Sequence, residues 1–194
     1  CDEDSLHPFI GGKPRPLTFR ETIVARLDEC ALIGADSKKW SLWNSWLDSC
    51  TAIVWKKGGK EFKIVPLSGE LLDILPTDRR LFLPVKYDSF DYPEHSVDST
   101  YGRGLTQDEV VEHEGWLAAL GGDTRENREL LKRYAAVAFA AMNRTPAMGF
   151  YTVGDIKEDQ LRALFANNLD YDCYCYGDWD LDGNARFARV RSLL

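Results

Sequence analysis

The sequence lacks any run of about 18 consecutive apolar residues, the length that a membrane-spanning helix needs. It also lacks an excess of positive charge, because 24 lysine and arginine residues against 31 aspartate and glutamate residues give a net charge of −7. A protein that binds nucleic acid mainly by neutralising phosphates has the opposite balance. We therefore expect neither membrane association nor direct binding to nucleic acid.

The common motifs of enzymes and nucleotide-binding proteins are missing as well. The sequence contains no G-x-x-x-x-G-K-[ST] or G-x-G-x-x-G phosphate loop, no G-x-S-x-G nucleophile motif and no H-E-x-x-H zinc motif. It has only three histidines: His7, His95 and His113. These absences favour a protein that works by binding another molecule and needs no cofactor.

Cysteine is present but does not form the pattern of a secreted disulfide scaffold. Five cysteines occur at irregular spacing, and Cys173 and Cys175 are only two residues apart. An odd number in a chain of this length is typical of reduced thiols that pack as small apolar side chains. The sequence therefore predicts a cytoplasmic protein.

The secondary-structure signals are mixed along the 194 residues, a length that fits one domain. Capping boxes at Thr18 and at Thr106 predict helix starts, and an amphipathic pattern predicts a helix over 124–143. Residues 51–65 have the β-branched and aromatic strands and the Gly-Gly turn of a β-hairpin. We predict an α+β fold of mixed helices and antiparallel β-hairpins in a single compact domain, residues 1–194; the alternative boundary lies near residues 100–105.

Two further helices are predicted from spacing alone. One begins near Ser37 and carries Trp40, Trp43 and Leu47 on one face, with Trp46 beside them. The other begins at Asp155 and continues through Leu161, Leu164 and Phe165. Trp46 is the tryptophan that we expect to be exposed enough to anchor a partner, because large aromatic side chains dominate binding energy at interfaces.

The loop over 86–104 is the strongest candidate for a contact surface. It shows neither helical nor strand periodicity, and such long loops are commonly functional. From Lys86 to Glu114 there are eight acidic and two basic residues, and aromatic side chains lie between the acids. The predicted contact residues in this loop are Asp88, Phe90, Asp91, Tyr92, Glu94, Asp98 and Tyr101. A second acidic stretch, over 155–182, would extend the same surface.

This pattern predicts a non-enzymatic protein that binds a basic protein, or the basic surface of a protein–nucleic acid complex. Its action would be to occlude that surface, as an inhibitor or an immunity-type factor does.

Two other interpretations remain open. The first is a hydrolase that combines scattered carboxylates with His95 or His113, although His113 lies on an apolar stripe and reads as a hydrogen-bonded core residue. The second is a divalent-metal protein in which Asp178, Asp180 and Asp182 hold calcium. These three carboxylates at alternate positions match the first half of a calcium loop, but its second half is missing and a hairpin turn explains the same residues.

Overall fold

The computed structural model describes residues 9–10, 13–14, 16–69, 82–176 and 186–187. In this part of the chain, four α-helices cover one face of a mixed β-sheet. The helices are α1 (Phe19–Ile33), α2 (Gln107–Glu112), α3 (Glu114–Ala119) and α4 (Arg125–Met142). The strands are β1 (Phe9–Ile10), β2 (Lys13–Pro14), β3 (Leu47–Trp55), β4 (Glu61–Val65), β5 (Leu83–Pro84), β6 (Glu94–Ser96), β7 (Phe150–Tyr151), β8 (Gln160–Ala166), β9 (Cys175–Tyr176) and β10 (Arg186–Phe187).

The main sheet has the strand order β6-β4-β3-β8-β9-β7, while β5 pairs with β8 and β10 pairs with β3. Strand β3 lies at its centre and pairs antiparallel with both β4 and β8. The hairpin predicted over residues 51–65 is formed by β3 and β4, with Trp55 opposite Phe62. The α+β prediction is confirmed.

The sheet has a separate apolar cluster on each face. On the helix side, which we call the front, Trp55 of β3, Phe62 of β4 and Phe150 of β7 pack against α1, α3 and α4. On the back, residues of β3, β4 and β8 pack against the segment around Tyr87 and Phe90. Among the described residues, none of the helices combines the length and the hydropathy needed to cross a membrane.

Local signals set the helix ends correctly. The Thr18 hydroxyl accepts a hydrogen bond from the Glu21 N–H, and the Glu21 carboxylate accepts one from the Thr18 N–H at 2.7 Å. This reciprocal capping box satisfies two backbone donors that the first turn would otherwise leave unpaired. The same arrangement, with Thr106 and Glu109, begins α2.

The helix predicted from Ser37 is wrong. Only Ser37–Lys39 forms a short 3₁₀ turn, and Leu47 already belongs to β3. The reason lies in α1, whose side chains bind the backbone of this segment. The Glu29 carboxylate accepts the Leu42 N–H at 2.9 Å, and the Arg26 guanidinium donates to the Leu42 carbonyl at 3.2 Å. These bonds replace the ones that a helix would have supplied.

The helix predicted from Asp155 is also wrong, because Gln160–Ala166 forms strand β8. The strand lies between β3 and β9, and six of its seven residues are buried. A short apolar run that is buried on both faces has no alternation, so its periodicity does not separate a strand from a helix. Pairing with β3 decides the outcome.

Candidate functional site

The segment 86–104 wraps around the edge of the sheet and does not project into solvent. Tyr87 and Phe90 pack on the back face, where the Lys63 ammonium donates to the Phe90 carbonyl at 2.7 Å. The chain then forms β6 along β4 and crosses to the front, where Tyr101 packs edge-on against Phe150. Tyr87, Phe90 and Tyr101 therefore hold this segment to the sheet.

This course changes the predicted contact surface. Phe90 is 9% exposed and Tyr101 is 8% exposed, so neither side chain is available to a partner, and we remove both from the surface. They are buried because they cover the apolar back and front of the sheet. The remaining predicted residues of the segment are all exposed: Asp88, Asp91, Tyr92, Glu94 and Asp98.

Trp46 is not part of this surface. It is half-buried and packs edge-on against the exposed ring of Tyr171, at 5.5 Å between centroids. Trp46 directly precedes the first residue of β3. The end of β3 that lies next to the paired residues of β4 and β6 is the opposite one, at Trp55. At about 3.3 Å per residue the two ends lie roughly 25 Å apart. Trp46 therefore belongs to a different region of the molecule.

The beginning of the second acidic stretch lies beside Tyr87 and Asp88. The Asp159 carboxylate accepts the backbone N–H of Lys57 at 2.8 Å and that of Tyr87 at 3.1 Å. Three lysines, Lys56, Lys57 and Lys157, line the same depression as the acids. Opposite charges balance here, so this part of the acidic stretch serves to attach the β3–β4 hairpin.

A cleft with more acidic than basic side chains lies on the front side of β6, away from the depression at Tyr87. It has a volume of about 420 Å³ and separates the edge of β4 and β6 from the helices. Its walls are apolar and consist of Ile64, Pro66, Pro93, Leu117 and Ala118. Its polar groups are Tyr92, His95, Glu112, Glu114, Asp123 and Arg128.

The polar groups of the cleft form two linked sets. His95 Nδ1 lies 2.6 Å from a Glu114 carboxylate oxygen, which fixes the orientation of the imidazole ring. Arg128 bonds to Asp123 through its Nε, at 2.6 Å, and also pairs with Glu112. The Arg128 guanidinium lowers the pKa of the Asp123 carboxyl. The cleft thus holds three carboxylates against one guanidinium, with the exposed Tyr92 ring at its border.

This arrangement suits a cation that carries an apolar stem. The volume lies within the range of small-ligand sites, which are mostly apolar with a few convergent polar groups. An arginine or lysine side chain would lay its methylenes on the apolar wall and keep its charge near Glu112 and Glu114. The exposed face of Tyr92 offers a cation–π contact to the same charge.

His113 lies beneath this region and is sealed from it. The residue separates α2 from α3, is 5% exposed, and packs against Tyr101 at 4.6 Å and Phe150 at 5.8 Å between ring centroids. Neither ring nitrogen has a hydrogen-bond partner among the described residues, so the expectation of a hydrogen-bonded core histidine is corrected. Burial lowers the pKa of His113 to about 4, against the raising effect of the Asp98 carboxylate.

The two alternative interpretations stay predictions. For a hydrolase, His95 is oriented by Glu114 in the cleft, but the described residues that line the cleft include no serine, threonine, cysteine or lysine. The proposed calcium ligands Asp178, Asp180 and Asp182 lie outside the described residues. Within the described ranges, no group of three histidine, cysteine, aspartate or glutamate side chains could hold a metal ion.

Sequence reasoning identified His95 as a candidate but missed how the cleft is assembled. In the sequence, Glu112 and Glu114 are visible only as acidic neighbours of His113, and Asp123 and Arg128 belong to no motif. The sequence signal that could have identified the cleft is His113 between Glu112 and Glu114. If the histidine is buried, the two flanking carboxylates face solvent on the same side of the molecule.

No protein-family model matches the chain, and neither does any curated protein. A solved structure is similar to it: a C-type lectin fold from Nanoarchaeota that accommodates massive sequence variation. The match has a TM-score of 0.60 at 17% identity and covers 91% of this chain and 87% of the other. The present chain therefore has a C-type lectin fold.

Proposed function

We propose that this protein is a non-enzymatic binding protein that occludes a basic surface of another macromolecule, with the acidic cleft as its anchor point. The observation that carries the proposal is the cleft itself, where three carboxylates and an exposed tyrosine surround an apolar wall. The exposed carboxylate of Asp91 adds negative charge next to Tyr92. The Glu94 carboxylate does not contribute to it, because it lies 3.9 Å from the Lys56 ammonium. We retain the cytoplasmic location that the cysteine pattern predicts.

The fold likeness is consistent with such a role but does not specify it. The similar nanoarchaeal structure is described as a fold that accommodates massive sequence variation. A scaffold that tolerates many surfaces is a suitable base for a binding protein, because fold and function are set by different residues. The partner chemistry is inferred only from the cleft of the present chain.

The test is binding of a hexa-arginine peptide at ~0.1 M salt, where charges further apart than about 10 Å are screened. We expect the double variant Glu112→Gln, Glu114→Gln to weaken binding at least ~tenfold, because both carboxylates flank the proposed cation. Glutamine keeps the length of each side chain and its capacity to accept a hydrogen bond. Isothermal titration calorimetry gives the affinities.

The matched control changes the net charge equally at exposed positions outside the cleft, with Glu129→Gln and Asp170→Asn. We expect this control to bind the peptide within ~twofold of the unmodified protein, since the screened charges lie away from the site. Equal losses in both variants would show that bulk charge binds the peptide and would contradict the cleft. Absence of binding by the unmodified protein would contradict the proposed function itself.

A further inference from the structure

Strand β6 is the terminal strand of the main sheet on the side of the acidic cleft. It consists of three residues, Glu94 and Ser96 being exposed and His95 half-buried between them. Among the described strands, only β4 pairs with it. Its outer edge therefore carries backbone donors and acceptors without a strand partner in the described part of the chain.

The register shows which backbone groups point outward. The Lys56 N–H donates to the Glu61 carbonyl, so Glu61 directs its backbone groups towards β3. The next residue, Phe62, therefore directs its backbone N–H and C=O groups towards β6, where it pairs with His95. The Val97 N–H, which donates to the Lys60 carbonyl at 2.8 Å, continues the same alternation. It follows that Glu94 and Ser96 direct their N–H and C=O groups away from the sheet.

The cleft begins where this pairing ends. Pro93 has no N–H, so it cannot continue the ladder that joins Glu94 to Lys63. Beyond that point Ile64 of β4 faces the cleft in place of a neighbouring strand. The His95 side chain lies on the same front face of the sheet, next to Phe62 at 5.3 Å between ring centroids, and lines the cleft. The open edge and the acidic cleft are therefore continuous.

We propose that the partner binds as an extended, basic polypeptide segment that pairs with the outer edge of β6 and places a basic side chain in the cleft. Side chains of an added strand alternate between the two faces, so every second one reaches the front face beside His95. Backbone pairing with Glu94 and Ser96 supplies affinity, while Glu112 and Glu114 select a positive charge. This inference rests on the proposed function and specifies the form of the partner.

The first test uses a seven-residue peptide that alternates arginine with threonine, in three forms. One is unmodified, one is N-methylated at the arginines, and one is N-methylated at the threonines; all have the same charge. In an added strand the N–H groups of one alternate set point towards β6 and those of the other point away. We expect one methylated peptide to lose at least ~tenfold in affinity while the other stays within ~twofold of the unmodified peptide.

Equal binding of all three peptides would overturn the strand pairing and leave the cationic cleft intact. Failure of the unmodified peptide to bind would instead contradict the proposed function on which the inference rests. The two failures are thus distinguishable in one set of titrations.

The second test removes an outward N–H from the protein. Ser96→Pro deletes the donor that faces away from β4, and proline is tolerated on an edge strand at such a position. The matched control is Ser99→Pro, at the second position of the turn in which the Tyr101 N–H donates to the Asp98 carbonyl. We expect Ser96→Pro to weaken binding of the unmodified peptide at least ~tenfold and Ser99→Pro to leave it within ~twofold.

Thermal unfolding of both proline variants, with melting temperatures close to that of the unmodified protein, establishes that the sheet is retained. Unchanged binding by a folded Ser96→Pro variant would overturn the proposal.

Discussion

Replacing Arg26 by methionine is expected to lower the free energy of unfolding by about 3–5 kcal/mol. Arg26 has no exposed surface, and its guanidinium makes four hydrogen bonds in the front core. It donates to the Tyr134 hydroxyl at 2.6 Å and to the carbonyls of Leu42, Ser45 and Ala166 at 3.2, 2.9 and 3.2 Å. Methionine fills a similar volume but leaves the four acceptors without this donor, and the acceptors on Tyr134 and Ala166 are buried.

The large effect follows from what the four acceptors connect. They lie on the 40–46 segment, on α4 and on β8, while Arg26 itself belongs to α1. The guanidinium also lies over the Trp43 ring at 5.6 Å, which adds a cation–π contact to the same network. One side chain therefore joins three other elements, and its loss affects the packing of each.

The matched control is Arg20→Met on the same helix. Arg20 is partly exposed, and it pairs with Glu126 and donates to the Asn127 side-chain oxygen at 3.2 Å. Such surface pairs contribute about 0–1 kcal/mol. Urea unfolding of both variants measures the difference, and equal losses would contradict a structural role for the buried network.

Acid is expected to destabilise the protein through His113 before most carboxylates are protonated. Between pH 7 and pH 5, we expect the free energy of unfolding to fall by about 2 kcal/mol from this residue alone. His113 is buried between Tyr101 and Phe150 and has a pKa of about 4 in the folded state. An unperturbed histidine has a pKa of about 6.5, which applies to the unfolded chain.

The sign follows from which state binds the proton first. Above pH ~6.5 the imidazole is neutral in both states, and His113 imposes no penalty on folding. As the pH falls below that value, the unfolded chain is protonated while the folded chain is not, so unfolding becomes more favourable. The loss continues until the pH reaches the folded pKa of about 4 and is constant below it.

The measurement is urea unfolding at a series of pH values for the unmodified protein and for His113→Phe. Phenylalanine keeps the aromatic packing and removes the titratable group. Between pH 7 and pH 5 the free energy of unfolding of this variant should therefore fall by about 2 kcal/mol less than that of the unmodified protein. His95→Gln is the control and should retain the His113 contribution to the slope. A His113→Phe variant with the same slope as the unmodified protein would contradict the assignment.

The sequence predicted those elements whose signals are local. Thr18 with Glu21 and Thr106 with Glu109 form the expected capping boxes, and the Gly58-Gly59 turn joins the expected hairpin. In each case the residues that decide the conformation lie within a few positions of one another. These local conformations are retained in the folded protein because no tertiary contact among the described residues favours a different one.

The failures have the opposite cause. The conformation of the 40–46 segment is set by hydrogen bonds with Arg26 and Glu29, which lie 13 or more positions earlier. Strand β8 is set by pairing with β3, which lies more than a hundred residues before it. The cleft likewise joins residues from β4, β6, α2, α3 and α4. Its acidic character was visible in the composition of residues 86–114, but its location depends on how that segment crosses the sheet edge.

The position of β3 has a consequence for the order in which the chain is made. Ala52 of this central strand pairs with Ala163, so its partner is synthesised after more than a hundred further residues. At about 5–20 residues per second, the ribosome needs roughly 5–20 s to supply it. During that interval the nascent β3–β4 hairpin has an unpaired strand edge, and we expect this stage to be prone to aggregation unless chaperones cover the edge.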